Sequence, residues 1–105
     1  MMNNGDTNWT KTYGGPDQDY AYSIDQTSDG YILCGFTDFA PPENLGNLYL
    51  VKTDLAGDTI WTKTIGGQHL DCGESVKQTI DGGFIITGYT ESFGAGGEDV
   101  YIVKT

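Results

Sequence analysis

The string Trp9-Thr10-Lys11-Thr12-Tyr13-Gly14-Gly15 returns 52 residues later as Trp61-Thr62-Lys63-Thr64-Ile65-Gly66-Gly67. A chain that repeats itself at this density must build two copies of one structural unit, each packing on the next. The rest of the alignment follows at the same offset. Gly5-Asp6-Thr7 matches Gly57-Asp58-Thr59, Asp19 matches Asp71, Ser23 matches Ser75, and Asp29-Gly30 matches Asp81-Gly82. The second copy then gains Gly83, so that Ile32, Gly35 and Thr37 match Ile85, Gly88 and Thr90. One residue is lost in the following loop, and Tyr49–Thr53 falls on Tyr101–Thr105. The first copy runs from about residue 5 to 56 and the second from about 57 to 105, within one 105-residue domain.

Each copy reads as four short strands and no helix. The first spans Tyr22–Thr27 and Glu74–Thr79 and ends at an Asp-Gly pair, a strong hairpin signal because a primed turn needs positive φ. The second, Tyr31–Thr37 and Phe84–Thr90, is apolar on both parities and predicts burial on both faces. The third is Leu48–Thr53 and Val100–Thr105. The fourth, Asn8–Tyr13 and Ile60–Ile65, interleaves Thr and Lys and predicts an outermost position. Asp54-Leu55-Ala56-Gly57-Asp58 predicts a tight turn with Gly in the left-handed region. With 16 Gly and only 3 Pro, the composition suits strands joined by tight turns.

Four strands per unit of about 50 residues is the period of propeller blades. The motifs W-T-K-T-x-G-G, x-D-G-G-[YF]-I-x-x-G-[YF]-T and D-x-Y-[LI]-V-K-T-D-x-x-G-D resemble a highly repetitive bacterial and archaeal β-propeller repeat. The resemblance covers the chain from about Gly5 to Thr105. It implies an all-β fold of two four-stranded antiparallel blades, a parent protein of the cell surface or secretome, and no catalytic residues to carry over. Asp29-Gly30-Tyr31 departs from it by lacking the second Gly, and the first-copy loop Phe39–Asn47 is longer than its counterpart.

In this reading the strand order is fourth, first, second, third, twice over, and the two termini are in phase. The third strand ending at Thr105 has a bare outer edge, and the strand carrying Trp9 has no sheet of its own. Exposed edges beside apolar surface attract another chain. The expectation is a head-to-tail ring in which residues 8–13 complete the last blade of a neighbour by strand exchange. Trp9, Lys11 and Tyr13 would then meet Tyr101 and Val103 of another copy. A homotrimer would give six blades and a homotetramer eight. The alternative is a fragment of a longer propeller.

Charge narrows the partners. The net charge is −10, with five Lys and no Arg, and four of the five Lys are repeat counterparts. Nucleic acid and anionic membrane, which need clustered cations, are not expected partners. Met1-Met2-Asn3-Asn4 does not read as a signal peptide, and no apolar run reaches membrane-spanning length. Cys34 and Cys72 occupy non-equivalent positions and read as buried free thiols.

Among candidate site residues, Asp19 and Asp71 stand at the start of the innermost strand. They could ring a channel and bind a cation, but their repetition favours accepting backbone N–H bonds from the preceding loop. Asp17 and His69 lack the companions of a calcium or zinc site, so neither metal nor cofactor is expected. Trp61, like Trp9, reads as packing between neighbouring blades. Ser23 and Ser75 have no nearby His, and the Gly pairs lack the Lys-Ser/Thr of a phosphate loop, so catalysis is not expected. The leading expectation is a non-catalytic, self-assembling scaffold. The second is a multivalent lectin or cation-dependent binder of a glycan or protein ligand. Its surface would draw on Tyr20, Tyr22, Phe36, Phe39, Tyr89 and Phe93.

Overall fold

The computed structural model describes residues 5–14, 19–39, 45–67, 69–94 and 97–105. Asp17 and most of the long first-copy loop lie outside the described residues. Seven strands form two antiparallel sheets, with no helix among the described residues: β1 (Asp19–Thr27), β2 (Gly30–Phe39), β3 (Leu45–Asp54), β4 (Thr59–Ile65), β5 (Asp71–Gln78), β6 (Phe84–Thr90) and β7 (Asp99–Lys104). Sheet A has the order β1-β2-β3-β4 and sheet B the order β5-β6-β7. The sheets therefore divide after Ile65. The polar β4, from the second sequence copy, is the edge strand of the first sheet.

The two sheets follow matched registers. Asp19 pairs with Thr37 and Asp71 with Thr90, and the first strand of each sheet carries a bulge at the same place, Ala21/Ser23 and Gly73/Ser75. The bulge re-aims the side chains that follow it. Hairpin turns depart from the sequence expectation. In sheet A the two-residue turn is Ser28-Asp29, and Gly30 already pairs with Thr27. Gly30 has no room for a side chain because the Thr53 carbonyl stands where its Cβ would be. In sheet B the extra Gly83 lengthens the loop, Gly82 takes φ 86°, and Thr79 N–H donates to the Gly83 carbonyl at 2.9 Å. One inserted residue thus converts a two-residue turn into a longer loop with a left-handed glycine. Between β3 and β4 the expected turn forms: Asp54 Oδ1 accepts from Ala56 N–H and Asp58 N–H at 2.9 Å, and Gly57 has φ 84°.

Sheet A lays one face on sheet B. Ile32, Cys34, Leu48 and Leu50 from sheet A meet Val76, Phe84 and Ile86 from sheet B, and Ile65, Tyr101 and Val103 pack at the margin. Alternate residues point to opposite faces, so each strand commits one parity to this contact. Two polar links at the inner strands fix it further. Val76 N–H donates to Ser23 Oγ at 3.3 Å, and Gln78 N–H donates to Asp25 Oδ2 at 3.1 Å.

The segment 8–13 forms no strand. It nevertheless stands on sheet A as β4 stands on sheet B. Trp9 meets Tyr31 with ring centroids 6.2 Å apart at 62°, and Trp61 meets Phe84, the counterpart of Tyr31, at 6.2 Å and 60°. Lys11 Nζ donates to Asp58 Oδ1 at 2.8 Å, Tyr13 Oη donates to the Gly57 carbonyl, and the Trp9 ring covers Gly57.

Leu50→Ala should lower the unfolding free energy by about 2–5 kcal/mol, because Leu50 is fully buried between the sheets. Denaturant titration read by tryptophan fluorescence would measure it, and a change below about 1 kcal/mol would contradict this placement of the core.

Candidate functional site

Asp71 clamps the turn before β5. Asp71 is fully buried. Its Oδ2 accepts from Gly67 N–H at 2.9 Å and from Ser92 Oγ at 2.9 Å, and its Oδ1 accepts from Thr90 Oγ1. Ser92 Oγ in turn accepts from His69 N–H at 2.9 Å, and its one proton is shared between Asp71 Oδ2 and the His69 carbonyl, 3.1 Å away. Asp19 repeats the theme: its Oδ1 accepts from Thr37 Oγ1, and its carboxylate fills the space beside Gly14. A carboxylate that accepts backbone N–H bonds satisfies donors that the turn would otherwise strand. Among the described residues, no group of three or more His, Cys, Asp and Glu could hold a metal ion.

A second clamp sits at the opposite end of each sheet. Lys52 Nζ donates to Asp29 Oδ1 at 3.0 Å and to the Thr53 carbonyl at 2.8 Å; Lys104 Nζ donates to Asp81 Oδ2 at 3.1 Å and to the Thr105 carbonyl at 2.6 Å. The hydrogen bond from Lys52 holds the Asp29 carboxyl below the usual carboxylate range. Asp81 is held lower still, by hydrogen bonds from Thr79, from Gly83 N–H and from Lys104. Lys52 and Lys104 thus serve turns inside the chain.

Both cysteines are buried and free. Burial pushes the Cys34 thiol up to about 12 and the Cys72 thiol up to about 11. These are protonated, unreactive thiols at neutral pH.

The chemistry that remains is surface. On β7, Tyr101 and Val103 lie at the margin of the core. The free side chains on that strand are Val100 and Ile102, 84% and 63% exposed. Their counterparts on β3, Leu48 and Leu50, are fully buried. The reverse holds on the other outer face, where Ile24 is 59% exposed and its counterpart Val76 is buried. The parity of β7 is a signal that sequence reasoning had at hand, since Leu48 and Leu50 align with Val100 and Ile102.

Between the segment 8–13 and sheet A lies a cavity of about 310 Å³, lined by Lys11, Tyr13, Tyr20, Leu33, Tyr49 and Val51 among others. Leu33, Tyr49 and Val51 are the counterparts of Ile86, Tyr101 and Val103, which pack against sheet A. A separate aromatic group lies on β1 and β2, with Tyr20 and Phe36 centroids 4.8 Å apart and Tyr22 and Phe36 centroids 6.1 Å apart. Both tyrosines are exposed. Phe93 stands apart from them, against Tyr101 at 5.8 Å.

No protein-family model matches the chain, and neither a curated protein nor a solved structure matches it.

Two outcomes follow. Asp71→Ala should cost about 3 kcal/mol of stability, since it strands a backbone donor and two hydroxyls, and thermal melts would show it. Alkali should also destabilise the fold. The folded thiols titrate above their ordinary value of 9.0, so the stability they confer is whole below pH 9 and is lost as the pH rises towards 11–12. Denaturation midpoints at pH 8 and pH 10.5 would measure the loss, and replacing both cysteines by alanine should reduce it.

Proposed function

We propose that the chain is a non-catalytic β-propeller module of two blades that self-assembles head to tail into a closed ring, as a structural or interaction scaffold. The observation that carries this reading is the pair of unequal faces. The side chains that bury sheet A against sheet B recur on sheet B as Val100 and Ile102, facing outwards. The receiving residues of sheet B recur on sheet A around a cavity. The chain thus presents both halves of an interface that it already makes internally. Such a heterologous contact closes into a ring when its rotation divides a full turn. Propellers carry about four to eight blades, so three chains would give six and four would give eight.

A lectin-like function is the second reading, favoured by the exposed Tyr20 and Tyr22 rings ordered around Phe36. Tyrosine faces can stack on the apolar face of a sugar. A glycan array run with and without calcium tests it, and silence in both conditions would retire it.

Light scattering or native mass spectrometry on the chain should give a discrete trimer or tetramer, and a variant lacking residues 1–13 should lose it. A well-folded monomer at tens of micromolar would overturn the ring.

A further inference from the structure

Resting on that reading, we infer that the bare edge of β7 and the cavity on sheet A are two sides of one site. Each β7 lies in register beside residues 7–13 of a second copy, and its Val100 and Ile102 enter that copy's cavity.

The register comes from the contact the chain makes with itself. Leu48, Tyr49, Leu50, Val51, Lys52 and Thr53 of β3 pair with Ile65, Thr64, Lys63, Thr62, Trp61 and Thr59 of β4. Carried over to their counterparts, Val100 faces Tyr13, Tyr101 faces Thr12, Ile102 faces Lys11, Val103 faces Thr10 and Lys104 faces Trp9 of the second copy. The segment needs no release from another sheet. It already stands in the place of a fourth strand, held by Tyr31, Asp58 and Gly57 of its own chain.

Three further observations agree. First, volumes compensate. Inside the chain, a Cβ on Gly73 would stand 3.2 Å from Leu48. The counterparts are Ala21 and Val100, one carbon larger and one carbon smaller. Second, the register extends to Asp99, whose buried Oδ2 lies against Gly94 of its own chain. Its counterpart Asn47 stands against Gly66, which places Gly14 of the second copy beside Asp99. Third, Lys63 and Asp6 of the second copy are the counterparts of Lys11 and Asp58, which pair at 2.8 Å. One link does not carry over: Asp25 accepts a backbone N–H from β5, and its counterpart Lys77 cannot accept. The contact between chains is therefore weaker in this respect than the contact within one.

Cysteine pairs test the register. Thr10→Cys with Val103→Cys, and Lys11→Cys with Ile102→Cys, are in register; Thr12→Cys with Val103→Cys is slipped by two residues. The native thiols are buried. Mild oxidation of each full-length variant, read on non-reducing gels beside native mass, should link at least one in-register pair between chains. The covalent ladder should end at the ring size, with at least tenfold less product from the slipped pair. A discrete oligomer that links the slipped pair better, or links neither in-register pair, overturns the register and leaves the ring standing. A monomer, or disulfides formed within one chain, overturns both. Val100→Asp should dissociate the assembly at least tenfold while leaving the monomer's denaturation midpoint unchanged; an unchanged oligomer would also overturn the inference.

Discussion

Everything in this molecule leans on one contact, the burial of Ile32, Cys34, Leu48 and Leu50 against Val76, Phe84 and Ile86. A sheet of three or four strands has two faces and can satisfy only one by packing on a single partner. Sheet A spends one face on sheet B, and sheet B returns the opposite face of the shared unit. The other face of sheet B carries the exposed Val100 and Ile102, and the other face of sheet A carries the segment 8–13. The same geometry that makes the core therefore defines the surface, and the exposed Val100 and Ile102 are a consequence of the repeat.

The polar interactions do a different job. In a chain this small, turns must be fixed by side chains, because there is little tertiary cover for their backbone groups. Asp71 holds the loop before β5, Asp19 ties the start of β1 to Thr37 of β2, and Asp29 and Asp81 hold the hairpins that follow. The lysine in each hairpin clamp reaches its partner from the third strand of the sheet, so one ion pair fixes both a turn and a strand register. Much of the acidity of the chain is thus placed at turns.

Strand positions were legible because the repeat doubles every signal. A weak alternation such as Leu48–Thr53 gains force when Val100–Thr105 repeats it. The structural role of Asp71 was legible for the same reason. Three things were not. The turn at Ser28-Asp29 escaped notice because Gly30 is selected by crowding against Thr53, not by positive φ. The assignment of Tyr101 and Val103 to the core margin requires the parity of β7 relative to sheet A, which identity between copies does not state. The absence of a strand at residues 8–13 follows from unanswered main-chain hydrogen bonds, since a segment becomes a strand only when another strand pairs with it.

That segment is also where the energetics of the proposed association would turn. Ordering a free peptide of six residues as a strand costs roughly 1–2 kcal/mol per residue, enough to cancel most of the gain from adding it to a sheet edge. Here that ordering is already met within the chain: Trp9 sits on Tyr31, Lys11 on Asp58 and Tyr13 on the Gly57 carbonyl. A second copy would meet a segment already held in place, beside a cavity already open. Association would then have to offset rigid-body entropy and desolvation, with little further ordering cost. Burial of Val100 and Ile102 would contribute roughly 1.5–3 kcal/mol each at every junction. In a closed ring each chain takes part in two junctions, so the last closure joins ends already held near one another.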